Sequence, residues 1–365
     1  MKLNWIHKII FIANIFVAIA LVLASFSSSV EPESNKWIYI IGLTYPLWLL
    51  LNIVFILYWL YKVKPYLLLS VIALLVGYNN LFSLVTFNTK KETIQQADFS
   101  IMSFNVRLFN QYHWLEEEGV DQQILDYIQE KQPDVVALQE FINIEKDNLL
   151  YIKKLKALGY PYYKREDRAS TSHFFGLITF SKYKITNSGS AYQYGAKGGK
   201  TVSFFTDIKI NKQIVRVYNT HLNSLRFLNE DYLFVENITA QNENEALQKS
   251  KNILTKVMVA ARKRQREVDE ITTHMAKCPF PLIVLGDFNE PPFSYSYPKF
   301  RETLNDPFLK YGFGVGTTFD GISTIPGLRL DFILHSPNLN AEGFETGPSH
   351  LSDHRPLMAW FALPK

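Results

Sequence analysis

Hydrophobic residues along this chain follow two regimes. Over the first ninety residues they come in long, nearly uninterrupted stretches. Ile9 to Phe26 is broken only by Asn14 and a final Ser25; Trp37 to Tyr61 is apolar and aromatic around Pro46 and Asn52; Tyr66 to Phe87 is similar around Gly77, Asn79 and Asn80. About 20 helical residues cross a hydrocarbon core, so each stretch is long enough, and the pattern predicts three transmembrane helices. A cleavable signal peptide accounts for the first stretch but not for the two behind it. Three buried helices of a soluble protein are the alternative, and uncharged runs of this length are unusual outside lipid.

Past residue 98 the period shortens. Phe99 to Val106 alternates apolar with small or polar residues and reads as a strand ending at Asn105. Asp121 opens a helical pattern with Ile124, Leu125 and Ile128 on one face, stopped by Pro133. Asp134 to Glu140 is an apolar strand finishing on a carboxylate. Phe174 to Phe180 and Val202 to Ile210 read as strands separated by a loop through Gly195, Gly198 and Gly199, and Ile214 to His221 alternates toward a terminal histidine. Residues 240 to 277 have helical spacing, with a basic run of Arg262, Lys263, Arg264 and Arg266 that reads as a solvated face, or less readily as a phosphate-binding one. Leu282 to Leu285 is a buried strand reaching Gly286, Asp287 and Asn289. Leu328 to His335 carries Asp331 inside it, and Leu357 to Phe361 closes the chain after Asp353 and His354.

These strands end on polar residues: Asn105, Glu140, His221, Asp287 with Asn289, Asp331, and Asp353 with His354. Side chains two apart on a strand share a face, so Asp287 and Asn289 are expected to point together. Gly-Asp-x-Asn is equally good turn chemistry, Glu140 suits a helix cap, and a lone histidine such as His221 is most often structural. Burying Asp331 among Leu330, Phe332 and Ile333 is costly unless it is paired, and the segment Ser352-Asp-His354-Arg-Pro supplies a cationic or hydrogen-bonding partner. Arg226 offers a cation before the acids Glu230 and Asp231.

Charge narrows the chemistry. The net +4 resides in the apolar part, where residues 1 to 97 carry seven lysines against three acids, so the remainder is neutral. That balance argues against a duplex-binding surface. Lys2, Lys8, Lys62 and Lys64 against Glu31, Glu33 and Lys36 place the N-terminus inside and, after three crossings, the rest outside the cytoplasm. Cys278 is the only cysteine, so no intrachain disulfide forms. There is no serine elbow, glycine-rich phosphate loop or Cys/His zinc cluster. Carboxylates with an amide suit Mg²⁺, Mn²⁺ or Ca²⁺, two histidines suit acid/base work, and the combination fits hydrolysis of a phosphate ester.

Phe104-Asn-Val-Arg, Leu138-Gln-Glu, Asn219-Thr-His-Leu, Gly286-Asp-Phe-Asn, Arg329-Leu-Asp-Phe and Ser352-Asp-His, in this order, resemble the motifs of the endonuclease/exonuclease/phosphatase superfamily, over roughly residues 98 to 363. The resemblance implies an α/β four-layer sandwich, two mixed β-sheets flanked by helices, here preceded by three transmembrane helices. Residues 1–88 are then a membrane anchor, 89–98 a linker and 99–365 the catalytic domain. It further implies Glu140 as the principal Mg²⁺ ligand with Asn105 and Asp353 beside it. His354, oriented by Asp331, would contact the scissile phosphate or activate water. Asp287 and Asn289 would polarise the nucleophile or stabilise the pentacoordinate phosphorus and leaving oxygen, and His221 would hydrogen-bond the phosphate. No acidic partner for His221 is evident, since His173 precedes the strand where one belongs. The implied activity is a metal-dependent phosphodiesterase or phosphatase on a bacterial inner membrane, facing the periplasm and acting on a lipid headgroup or small phosphoester. A nuclease acting on extracytoplasmic nucleic acid and a catalytically inactive binding module are the alternatives.

Overall fold

The computed structural model describes residues 4–88, 94, 96–144, 150–165, 173–195, 200–225, 243–321 and 327–364. The side chain of His173, Arg226, Glu230, Asp231, Gly198, Gly199 and most of the linker expected over 89–98 lie outside them. Two compact units account for the chain's internal contacts: Met1–Val85 with Pro291–Lys299, and Thr86–Glu290 with Phe300–Lys365.

In the first unit α1 (Trp5–Phe26) starts from Asn4, whose side chain accepts a hydrogen bond from the His7 N–H at 2.9 Å. It is the one described helix long and apolar enough to cross a membrane unaided. The other two stretches are not the continuous helices the sequence predicts. The second is α2 (Lys36–Leu43) and α3 (Tyr45–Tyr61), bent by 61°, and the third is α4 (Leu67–Val76) and α5 (Tyr78–Leu84), bent by 71°. Pro46, in the first turn of α3, has no N–H to give the preceding turn and its ring clashes there, so the helix restarts. At the second break a Cβ on Gly77 would lie 2.3 Å from Ser25 Oγ, a close approach open only to glycine. Inside the unit Asn14 Nδ2 donates to Ser70 Oγ at 2.6 Å, Trp59 Nε1 donates to Asn14 Oδ1 at 2.9 Å, and Asn52 Nδ2 donates to the Val17 carbonyl at 3.1 Å.

The second unit is built on two mixed sheets. Thirteen strands are described in the chain: β1 (Thr86–Phe87), β2 (Phe99–Asn105), β3 (Val135–Ile144), β4 (Tyr162–Arg165), β5 (His173–Ser181), β6 (Ile185–Gln193), β7 (Thr201–Ile210), β8 (Gln213–His221), β9 (Leu282–Asp287), β10 (Phe313–Gly314), β11 (Asp331–His335), β12 (Asn340–Thr346) and β13 (Leu357–Ala362). One sheet runs β12-β13-β2-β3-β5-β4 and the other β11-β9-β8-β7-β6. Only β2 with β3 and β8 with β9 pair in parallel within these sheets.

Both faces of β2 and β3 are covered, which is why their sequences read as apolar runs. Phe99, Ile101, Val135 and Ala137 meet Val215, Val217, Ile283, Leu285 and Ile333 of the other sheet. On the opposite face Met102, Phe104, Val136 and Leu138 pack against Ile124, Leu125 and Ile128 of α6 (Val120–Lys131) and Leu155 of α7 (Tyr151–Ala157). The predicted helix over 240–277 is α8 (Glu243–Met275). The strand expected from Leu328 begins only at Asp331, because Leu328 bridges to Phe319 instead.

Candidate active site

The two parallel pairs end side by side in the sequence of both sheets, and open α/β sheets present ligands at the carboxyl ends of such strands. Asn105 closes β2, His221 closes β8 and Asp287 closes β9. Register sets Asp287 opposite His221 on one side and opposite Asp331 on the other. Glu140 lies within β3 where its pairing with β5 slips between Leu138 and Phe141, and its φ is +49°. Such a bulge re-aims a side chain, and a non-glycine residue in the left-handed region costs about 1–3 kcal/mol.

Gly286 is required by two features: its φ is +130°, and a Cβ there would lie 1.9 Å from the Thr220 carbonyl oxygen. β9 then stops at Asp287, so the strand alternation expected to align Asp287 with Asn289 does not reach that far. Phe288 stacks on Phe332 at 4.8 Å in the core and the chain turns. Asn289, with φ +54°, donates its N–H to Asp287 Oδ1 at 2.8 Å and its amide to the Leu222 carbonyl at 3.0 Å. The Asx turn, not the strand, couples the two residues.

The remaining candidates converge on the same place. Asn105 Nδ2 donates to Asp287 Oδ2 at 3.1 Å and to Glu140 Oε1 at 3.4 Å. His354 Nδ1 lies 2.8 Å from Asp331 Oδ2, and its Nε2 is 3.6 Å from Asp287 Oδ2. The buried Asp331 thus has the partner its sequence context demands. Thr318 Oγ1 accepts the Leu330 and Asp331 N–H groups and fixes that strand start. Asp353 is held by Arg107 Nη1 at 2.7 Å, and Ser352 Oγ sits 3.0 Å from the Asn105 carbonyl and 3.1 Å from Asp353 Oδ1. His221 Nε2 is 3.6 Å from Asp287 Oδ2 and 3.8 Å from Glu140 Oε1, and this buried nitrogen makes no hydrogen bond among the described residues.

Crowding of charge with little water sets the protonation states. Burial, then the neighbouring Asp353, raises the Glu140 carboxyl above the ordinary value, against smaller opposing effects of His354, Asn105 and Arg107. Burial, with Asp331 and Glu140 adding to it, lifts Asp287 to about 7 despite the pull of His354. Burial draws His354 down, but Asp331 and Asp287 outweigh it and hold the imidazole well above its usual range. His221 goes the other way: burial first, then Lys200 and His354, keep it well below that range and neutral.

Glu140 and Asp287 meet at the Asn105 amide nitrogen, with Asp353 and Asp331 close enough to raise their carboxyls, and this set of carboxylates fits a divalent cation of the Mg²⁺ type. Among the described residues, Asp287, Asp331 and His354 form a group whose ligand atoms lie within 4.8 Å of one another. Asp331 and His354 are already bonded to each other, however, whereas the Glu140 side chain is 28 % exposed and engaged only by the long Asn105 bond among the hydrogen bonds described. The open lone pairs therefore belong to Glu140, with Asn105 and Asp287 beside it.

Several supporting residues were not singled out by sequence reasoning. Arg107 stands in the Phe104-Asn-Val-Arg motif, and its guanidinium also lies 4.6 Å over the Trp114 ring. Gln139 and Asn219, likewise inside motifs, bridge the sheets: Gln139 Nε2 donates to Asn219 Oδ1 at 2.8 Å, and Asn219 donates to the Ile178 carbonyl at 2.9 Å. The basic run on α8 is not wholly solvated. Arg264 is buried, pairing with Glu290 at 3.1 Å and donating to the Asn223 carbonyl at 2.8 Å. Glu267 accepts the Asn223 N–H at 2.8 Å and the Tyr194 hydroxyl at 2.6 Å. One helix so holds the chain just past His221 and just past Asn289. Helical spacing alone cannot separate such a residue from its solvated neighbours Arg262 and Lys263.

Among solved structures the chain resembles an endonuclease/exonuclease/phosphatase family protein from Leptotrichia buccalis C-1013-b, at 18 % identity over 73 % of this chain and 100 % of that one, TM-score 0.47. The endonuclease/exonuclease/phosphatase from Bacteroides vulgatus gives 20 % identity, 73 % and 98 % coverage and a TM-score of 0.48. The human Nocturnin catalytic domain gives 20 %, 72 % and 94 %, with a TM-score of 0.47. No curated protein matches. Residues 7–84 match a domain of unknown function (DUF8431). Residues 102–354, which span every candidate residue above, match the Endonuclease/Exonuclease/phosphatase family, and the chain belongs to that family.

Proposed function

We propose that this chain is a membrane-anchored hydrolase of phosphate esters that uses Mg²⁺, with Mn²⁺ or Ca²⁺ as possible substitutes. The observation that carries the reading is the meeting of Glu140, Asp287, Asp331 and Asp353 around Asn105, with Arg107 and His354 as the cations bonded to them. Burying that many acids without a ligand to neutralise them is costly.

Glu140, Asn105 and Asp353 would hold the cation, as the sequence motifs imply, with Asp287 at its edge. A divalent ion there supplies neutralisation of the phosphoryl oxygens and of the carboxylates themselves. Asp287, lifted to about 7 and fixed by the Asn289 N–H, is placed to take a proton from an attacking water. His354, kept protonated by Asp331, donates from Nε2 to a phosphoryl oxygen, and neutral His221 adds a further hydrogen bond. Asn289, held against the Leu222 carbonyl, stabilises the leaving side.

A lipid headgroup or small phosphoester is favoured over nucleic acid by the neutral balance of the chain past residue 97. A panel of lipid, nucleotide, inositol phosphate and DNA esters, assayed with Mg²⁺ and with chelator, tests this. Hydrolysis that vanishes in chelator and changes little with salt supports the reading, while cleavage of DNA that falls steeply with salt favours the nuclease. Catalysis indifferent to chelator contradicts both.

Anchoring rests on α1. If each bent pair crosses as one broken span, the lysine distribution puts the N-terminus inside and residues 99–365 in the periplasm. A reporter fused after Lys365 that works only in the cytoplasm contradicts that topology.

A further inference from the structure

Outside the active site, the two-stranded ribbon of β1 and β10 exposes side chains that water does not favour. Phe87 is 74 % exposed, its direct cross-strand partner Phe313 is 68 % exposed, and Val315 is 38 % exposed. Residues directly opposite in an antiparallel pair lie on one face, so the two phenyl rings form a single patch. The ribbon is firmly built: Asn88 Nδ2 donates to the Leu309 carbonyl at 3.0 Å and to the Gly312 carbonyl at 3.2 Å. Leu309 belongs to the short helix α9 (Pro307–Tyr311), which ends where the ribbon begins.

The sequence says what covers this patch. Phe87 follows Leu84, the last residue of α5, by three positions. Three residues of extended chain reach about 10 Å, comparable with the headgroup layer of a bilayer. A residue so near the end of an apolar segment lies at interfacial depth when that segment is in lipid, and aromatic rings concentrate there. Exposed Lys310, whose ammonium sits 4.6 Å over the Tyr311 ring, adds a cation suited to anionic headgroups.

We infer that the Phe87 and Phe313 rings, with Val315, form a membrane-interface contact, seated at headgroup depth in the bilayer that holds the apolar helices. The inference rests on the anchoring reading above. It goes further, because a pair of residues 226 positions apart in sequence is thereby held at one depth.

Cys278 is the only cysteine, so Cys278→Ser gives a clean background for site-directed nitroxide labels. The full chain is reconstituted into vesicles of phosphatidylcholine and phosphatidylglycerol, and collision with oxygen is compared with collision with a water-soluble nickel chelate. Labels go at Phe313→Cys and, as a second variant, Phe87→Cys. References are Ile19→Cys on α1 and Tyr162→Cys on the edge strand β4, both exposed. The expected result is an oxygen-to-nickel ratio at 313 and 87 several-fold above that at 162, with 19 higher still. If 313 and 87 match 162 while 19 reads hydrocarbon, the ribbon contact is overturned and anchoring stands. If 19 itself reads aqueous, the anchoring reading fails and takes the ribbon contact with it.

Discussion

The helical unit and the sheet unit both bury polar side chains, but they use them differently. Around α1 one set of polar groups closes on itself: Trp59 donates to Asn14, and Asn14 donates to Ser70. Such contacts join helices where apolar packing gives little preference among partners. At the strand ends of the sheet unit the polar groups are left under tension. Glu140 and Asn289 sit at positive φ, His221 Nε2 is unbonded, and Asp287 is lifted to about 7. The Asn14 set satisfies itself and reads as structural, whereas the strand-end set, held short of satisfaction beside raised carboxyls, suits something that binds.

The contrast is broken most sharply at His354. His354→Ala should lower phosphoester hydrolysis by about 10²–10⁴-fold with the fold retained, and a rate within a few-fold of the parent, measured with Mg²⁺, removes it from the chemistry. Next in size is the clamp behind the site. Arg264→Met removes the buried guanidinium paired with Glu290 and should cost about 3–5 kcal/mol in denaturant unfolding. The Arg264→Met/Glu290→Met double variant should recover much of that stability. If the single variant costs nothing, the pair is not the clamp.

A smaller effect separates the two kinds of burial by pH. Raised carboxyls bind protons more tightly in the folded protein, so their contribution is present below the unfolded value and is lost as pH rises through the folded one, about 7 for Asp287. Mg²⁺ opposes that loss by stabilising the ionised cluster. The rise in Tm produced by Mg²⁺ should therefore grow between pH 5 and 8, and an equal shift at both pH values contradicts the site's protonation. Smallest is Asn14→Leu, which should weaken the helical unit by about 0.6–2 kcal/mol and leave turnover unchanged in detergent-solubilised protein. A matching loss of turnover erases the distinction between the units.

What was legible in the sequence was part of the set of strand ends, because an apolar run that stops on a polar residue is a local signal. Asn105, His221 and Asp287 all lie where that signal puts them. That Asp331 needs a partner was legible too, from the cost of burying an acid, and the family resemblance pointed to His354. Backbone detail was not. β3 continues past Glu140 through a bulge, and β9 gives way to a turn before Asn289, since both depend on neighbouring strands and not on residue type. Arg264 looked like one more member of a basic run because only tertiary packing decides which arginine points inward. The apolar stretches were read correctly in composition but not in continuity. Pro46 and Gly77, both visible in the sequence, mark the breaks of α2 from α3 and of α4 from α5.

The central claim is that Glu140, with Asn105 and Asp353, makes the strand ends a cation site. Calorimetric titration of Mn²⁺ into the full chain at pH 7, in two buffers of different ionisation enthalpy, measures binding and proton release together. The account predicts saturable binding with release of protons from the raised carboxyls, and loss of most of that affinity in Glu140→Gln while the thermal unfolding of the metal-free protein is retained. Mn²⁺ affinity unchanged by Glu140→Gln, or binding without proton release, would contradict it.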